Sequence, residues 1–70
     1  MSKVTAPLPG RILKFKVKQG DTVTEEQELF VMEALKMENV IYSEEAGTVS
    51  EIFVKEGADV DTGDDVLEIA

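Results

Sequence analysis

Hydrophobic and polar positions along this chain fall into short runs separated by turn residues. From Leu13 to Lys18 apolar residues and lysines take turns (Leu13, Phe15, Val17 against Lys14, Lys16, Lys18), the two-residue period of a half-buried strand with one solvated lysine face. A second run, Thr48 to Lys55, carries Val49, Ile52 and Val54. Pro7-Leu8-Pro9-Gly10 excludes a helix and marks a turn. Gln19-Gly20-Asp21 reads as a tight turn in which Gly20 supplies a positive φ. Glu44 to Gly47, Glu56 to Asp59 and Asp61 to Asp64 are polar turns of the same kind. Between them lie Val4–Ala6, Arg11–Lys18, Thr22–Val23, Asn39–Ser43, Thr48–Lys55 and Asp65–Ala70 as strand candidates.

Two stretches resist this reading. Leu29-Phe30-Val31-Met32 is a continuous apolar run that suits a buried strand or a helix equally. Glu33 to Glu38 consists of good helix formers, and local propensity reads it as a solvated helix. An internal repeat arbitrates. Gly10 and Gly47 lie 37 positions apart, and the same offset brings Val17 onto Val54, Lys18 onto Lys55, Gly20 onto Gly57 and Val23 onto Val60. Similar residues also coincide, including Val4 with Ile41, Ala6 with Ser43, Ile12 with Val49 and Leu29 with Val66. The counterpart of the ambiguous run is Asp65 to Ala70, too short for a stable helix. Glu28 to Glu33 is therefore expected to be a strand. Eight short strands in two similar halves predict an all-β fold with pseudo-twofold symmetry.

Seventy residues suffice for one small domain, taken as 1–70. A hydrophobic fraction of 43% is too high for a disordered tail. Fifteen acidic residues against seven basic ones give a net charge of −8, a surface that repels nucleic acid and anionic lipid and favours partners with basic surfaces. No apolar run approaches membrane-spanning length, and Met1 to Thr5 has no secretory pattern. The expectation is a cytoplasmic module without direct membrane insertion. Cysteine and histidine are both absent, which removes thiol chemistry and the commonest general base and metal ligand. Asp59 to Asp65 lacks the spacing and terminal Glu of a calcium loop, so no metal site is expected.

The join between the halves reads Glu33-Ala34-Leu35-Lys36-Met37-Glu38. Ala34-Leu35-Lys36-Met37 resembles the Ala-Met-Lys-Met attachment motif of biotinyl domains. The resemblance extends over nearly the whole chain. Ala6-Pro7-Leu8-Pro9-Gly10 is similar to that family's Ala-Pro-Met-Pro-Gly entry, and Val17 to Val23 to its Val-x-x-Gly-Asp-x-Val turn. Ala46-Gly47-Thr48-Val49 and Gly57-Ala58-Asp59-Val60 match the turns of its second half. The resemblance implies a flattened barrel or sandwich of two four-stranded antiparallel sheets, a barrel-sandwich hybrid. The termini would lie in one sheet and a lysine hairpin would project from the other.

The family further implies that a biotin protein ligase joins biotin to the Lys36 ε-amine. A lysine amine is mostly protonated near neutrality, so the ligase must supply the activation. The carrier would then move carboxyl groups between the active sites of biotin carboxylase and carboxyltransferase or decarboxylase subunits, with no catalysis of its own. Glu33, Ala34, Leu35, Met37 and Glu38 would form the recognition context for the ligase and partners, though Met37 also admits a plain core role and the two glutamates a merely hydrating one. Leu replaces the family's common Met at positions 8 and 35, a near-isosteric change. Glu26 stands where members often have Gly, which suggests a turn without positive φ. The absence of an insertion between Ile12 and Val17 implies that the protruding thumb of some bacterial carriers is missing. Two other functions fit the same fold. A lipoyl carrier would place Asp before the lysine and Ala or Ser after it, unlike Leu35 and Met37. An unmodified interaction module would not need Lys36 in its motif. An independent enzyme fits least, since without Cys or His no nucleophile–base pair stands out.

Overall fold

A computed structural model describes residues 2–70. Its eight strands are β1 (Ser2–Thr5), β2 (Gly10–Phe15), β3 (Thr22–Val23), β4 (Glu28–Ala34), β5 (Met37–Tyr42), β6 (Gly47–Ile52), β7 (Asp59–Val60) and β8 (Asp65–Ile69). They form two four-stranded sheets, ordered β1-β8-β6-β3 and β5-β4-β2-β7, with every pair antiparallel. The sheets remain separate ladders, so the expected flattened two-sheet arrangement is a sandwich and not a closed barrel. Both terminal strands lie in the first sheet, and the β4–β5 hairpin lies in the second.

The 37-residue offset is a physical symmetry. It carries β2 onto β6, β3 onto β7 and β4 onto β8, and one sheet order onto the other. Irregularities repeat as well. Leu13 is the extra residue where β2 meets β4, and its counterpart Ser50 is the extra residue where β6 meets β8. Leu29 and Val66 play the same part opposite β5 and β1. Such bulges bend a strand and increase its twist. Here they let Leu29 and Phe30, and likewise Val66 and Leu67, both face inward. Loop hydrogen bonds follow the same rule: Ala6 N–H donates to Asp64 O (2.9 Å) and Ser43 N–H to Gln27 O (2.8 Å).

The core fills the space between the sheets. Ile12, Leu29, Phe30, Met32, Leu67 and Ile69 are fully buried, and each such side chain contributes about 1.5–3 kcal/mol on removal from water. The Phe15 and Phe30 rings meet at 5.9 Å and a 56° tilt, a favourable aromatic contact. No helix of the described residues is long and apolar enough to cross a membrane.

Several boundaries shift from the sequence expectation. β2 stops at Phe15 and β6 at Ile52, short of Lys18 and Lys55. Beyond those points the backbone bonds elsewhere, with Lys16 N–H on Leu29 O and Phe53 N–H on Val66 O. Lys14, Lys16 and Lys18 are all exposed, but Lys18 sits in a loop where its N–H donates to Asp21 Oδ2. β4 continues through Ala34 and β5 begins at Met37, so the helix suggested by local propensity gives way to paired strands. The chain runs from β2 to β3 through Lys16–Asp21 without an inserted thumb.

The expectation for Glu26 is corrected. Its φ is +67°, close to the left-handed geometry of its counterpart Gly63 (+88°). The cause is tertiary. Glu26 N–H donates to Ser43 O just as Gly63 N–H donates to Ala6 O, so the same long-range bond frames both turns and Glu26 shares the geometry of its glycine counterpart.

Gly10 secures the start of β2 against the end of β4. A Cβ at this position would run into the Glu33 carbonyl oxygen, just as one at Gly47 would lie 2.6 Å from Ala70 O. Gly20 differs: its φ is +94° but it faces open space. Chemical denaturation should separate the two constraints. Gly10→Ala is expected to lose about 2–3 kcal/mol, as in an overpacked core, and Gly20→Ala about 1 kcal/mol, from backbone conformation alone. Equal losses would mean that the Gly10 contact relaxes freely.

Candidate functional site

The second sheet narrows to a single exposed tip. β4 and β5 pair in register from Glu28↔Tyr42 to Ala34↔Met37, leaving Leu35 and Lys36 as the whole connection. Their φ values are +55° and +63°. Two positive φ values in a two-residue hairpin loop mark a type I′ turn, which usually takes Asn-Gly. Leu and Lys have no such tolerance, and the left-handed conformation costs each about 1–2 kcal/mol. The strands enforce it. β4 is paired on both edges, with β5 and β2, so its register leaves no freedom for a looser loop.

The result is a post with a free amine at its end. Lys36 is exposed and makes no ion pair or hydrogen bond among the described residues. Leu35 is 88% exposed and Met37 65%, so two apolar side chains flank the amine in solvent. This rules out the core role for Met37. Ala34 is buried at the root of the turn, where a Cβ on Gly10 would meet its methyl at 3.2 Å. Asn39 Nδ2 donates to Met37 O (3.2 Å) and braces the outgoing strand.

Below the tip a row of charges crosses the sheet. Glu33 and Glu38 are exposed and directly opposite each other, a like-charge juxtaposition that does not stabilise a hairpin. Arg11 faces Glu33 from β2, and its Nε lies 3.3 Å from Asp59 Oδ1. Of the residues singled out from sequence, the fold brings Glu33, Leu35, Lys36, Met37 and Glu38 to the exposed end and keeps Ala34 beneath them. Sequence reasoning missed Arg11 and the part played by Gly10. The Gly10–Gly47 match of the repeat was the available signal for Gly10. Neither Leu35 nor Lys36 carries any sequence cue for positive φ.

The site is convex. A broad open cleft runs between edge strands β1 and β5, lined by Val4, Ile41, Tyr42, Glu25 and Glu44, but it includes neither Lys36 nor its neighbours. No group of three or more potential metal ligands occurs among the described residues. A free amine on a rigid mount, outside any cavity, suits covalent loading and presentation to another protein.

The family model of biotin-requiring enzymes matches residues 2–69. The biotin carboxyl carrier protein of Streptococcus mutans serotype c is 54% identical over 65 residues, covering 93% of this chain and 50% of that protein. Pyruvate carboxylase 1 of Caenorhabditis elegans is 48% identical over 66 residues, covering 94% of this chain and 6% of the enzyme. The chain thus spans half of one curated relative and a small part of the other. Among solved structures, Kluyveromyces lactis urea carboxylase superposes with a TM-score of 0.92 at 30% identity, over 99% of this chain and 6% of that one. A lipoyl domain of the Azotobacter vinelandii 2-oxoglutarate dehydrogenase complex superposes with a TM-score of 0.84 at 22% identity, over 97% and 94% of the two chains, and shares the fold alone. The match over almost every residue, on a fold common to both kinds of carrier, establishes that this chain belongs to the family of biotin-requiring enzymes, whose cofactor is biotin.

Proposed function

We propose that this chain is a biotin carboxyl carrier domain and that Lys36 holds biotin through an amide on its ε-nitrogen. The observation that carries this reading is the unpaired, exposed Lys36 between Leu35 and Met37, on a two-residue turn that the sheet holds rigid. The residues present fit the group. The amine is free, nothing on the domain covers it, and the backbone below cannot fold the arm away. When attached, biotin supplies the carboxyl carriage. The protein presents the arm at a fixed point and raises its effective concentration at each partner site.

The neighbours have distinct roles in this reading. Leu35 and Met37 give a ligase an apolar handle on either side of the target amine. Glu33 and Glu38 supply the acidic context, and buried Ala34 seats the turn. Residues 1–70 act as one non-catalytic carrier domain in the cytoplasm. A biotin protein ligase loads it, and biotin carboxylase with carboxyltransferase or decarboxylase subunits uses it. The carboxylases similar to this chain, among them a single-chain long-chain acyl-CoA carboxylase, support that choice of partners.

Incubation with biotin ligase, biotin and ATP should add one biotinyl mass, on Lys36. Lys36→Arg should abolish labelling, because a guanidinium stays protonated and cannot attack. Its stability should stay within about 0.5 kcal/mol of the parent, as for other exposed positions. Label on Lys14 or Lys18, or lipoyl in place of biotin, would defeat the assignment.

Leu35→Asn tests the strained turn. Asn tolerates positive φ, and Leu35 buries almost nothing, so stability should rise by about 0.5–1 kcal/mol. Labelling should nevertheless slow, since the apolar handle is lost. A variant that is both destabilised and normally labelled would contradict both roles given to Leu35.

A further inference from the structure

The repeat provides an internal control for what folding requires. Residues 37 positions apart occupy equivalent places, so a chemical difference between them is not demanded by the fold. The outer faces of the two sheets differ sharply in this respect. On β4, Phe30 and Met32 belong to the core, so Val31 between them points outward, yet it is 4% exposed and lies outside the core cluster. Its row across the sheet is Lys14–Val31–Val40. The equivalent row of the other sheet is Glu51–Glu68–Lys3. The fold evidently accepts charged residues there, and the apolar centre of the first row has no structural necessity.

The surroundings extend the contrast. Tyr42 stands two residues beyond Val40 on the same outer face and is 52% exposed; its counterpart is Thr5. Lys16 flanks the patch and pairs with Glu28 at 3.5 Å, whereas Lys14 has no ion pair among the described residues. Charge is divided between the halves: residues 1–37 hold six basic and five acidic side chains, and residues 38–70 one basic and ten acidic. Each sheet draws strands from both halves, so the strands of the two sheets carry the same net charge; the difference is local, with Arg11 and Lys14 lying along β2 where β6 has Thr48 and Glu51. The apolar row lies only about 7 Å down the strands from the Glu33 row beneath Lys36, two residues at a strand's rise.

We propose that the outer face of the lysine-bearing sheet, through Lys14, Val40 and Tyr42 over the buried Val31, is the surface by which the loaded domain docks on its carboxyl-transfer partner. The occupant is a protein surface with an apolar contact for Val40 and Tyr42 and a carboxylate for Lys14. Charge complementarity selects it: Lys14 is an uncompensated cation beside an apolar strip on a domain otherwise strongly acidic. Glu51 and Glu68 in the equivalent row offer that carboxylate no favourable contact, so the two faces are distinguished at this row. The inference rests on the carrier function proposed above and names the docking face for that function.

The test uses the whole biotinylated chain as substrate for purified biotin carboxylase of the same organism, with ATP and bicarbonate. Lys14→Glu is compared with Glu51→Lys. Glu already occupies the equivalent place at position 51, so Lys14→Glu asks nothing new of the fold, and thermal melts verify this. Lys14→Glu should raise KM for the carrier at least about tenfold at low salt with kcat unchanged, and the difference should shrink as salt screens the contact. Tyr42→Ser should raise KM severalfold, and Glu51→Lys should leave it within about twofold, the size expected for a charge outside the contact. Equal responses of the two charge variants would overturn the proposal. So would a Lys14→Glu chain that loads slowly but is carboxylated normally, since the patch would then serve the ligase. Failure of the parent chain to label at Lys36 would instead remove the carrier reading itself.

Discussion

Everything exposed at the tip depends on β4 being paired along both edges. β5 fixes its register from Glu28 to Ala34, and β2 does so from Arg11 to Phe15. Gly10 brings the β2 backbone close enough that even one methyl group would strike the Glu33 carbonyl. A strand held this firmly can force its two-residue connection into a conformation that Leu and Lys avoid in isolation. The strain is local, and the ladder and the core below it offset the cost.

In the proposed carrier role, that arrangement separates two needs. The reactive amine must be mobile and accessible, and the place it starts from must be fixed. Lys36 supplies the first, with an exposed side chain that no neighbour holds. The hairpin supplies the second. A loose loop would satisfy accessibility but spread the arm over a larger volume and lower its effective concentration at a partner site. The broad cleft between β1 and β5 does not reach Lys36, and under the proposed role it need not, because the chemistry would belong to the proteins that receive the arm.

The internal symmetry shows which features are structural. Bulges at Leu13 and Ser50, close approaches at Gly10 and Gly47, and the paired loop bonds of Ala6 and Ser43 occur twice because the sandwich needs them twice. Features that occur once need another reason. The lysine turn is one, since its counterpart is the place where the chain ends meet in the other sheet. The apolar row of Val31 and Val40 is another.

Much of this was legible in the sequence. The 37-residue repeat determined the eight strands and their pairing into equivalent halves, and it overrode helix propensity in Glu33 to Glu38 because a repeat reports tertiary equivalence where propensity reports only local preference. The motif around Lys36 pointed to the lysine that the structure places at the exposed hairpin tip. What the sequence did not contain was anything set by long-range hydrogen bonding. β2 and β6 end early because Lys16 and Phe53 bond across to Leu29 and Val66. Glu26, Leu35 and Lys36 adopt positive φ although no side-chain preference favours it. The outward placement of Val31 follows from the bulge that turns both Leu29 and Phe30 inward. Each was decided only when separate strands met, because the energy of closing a ladder exceeds the preference of any single residue within it.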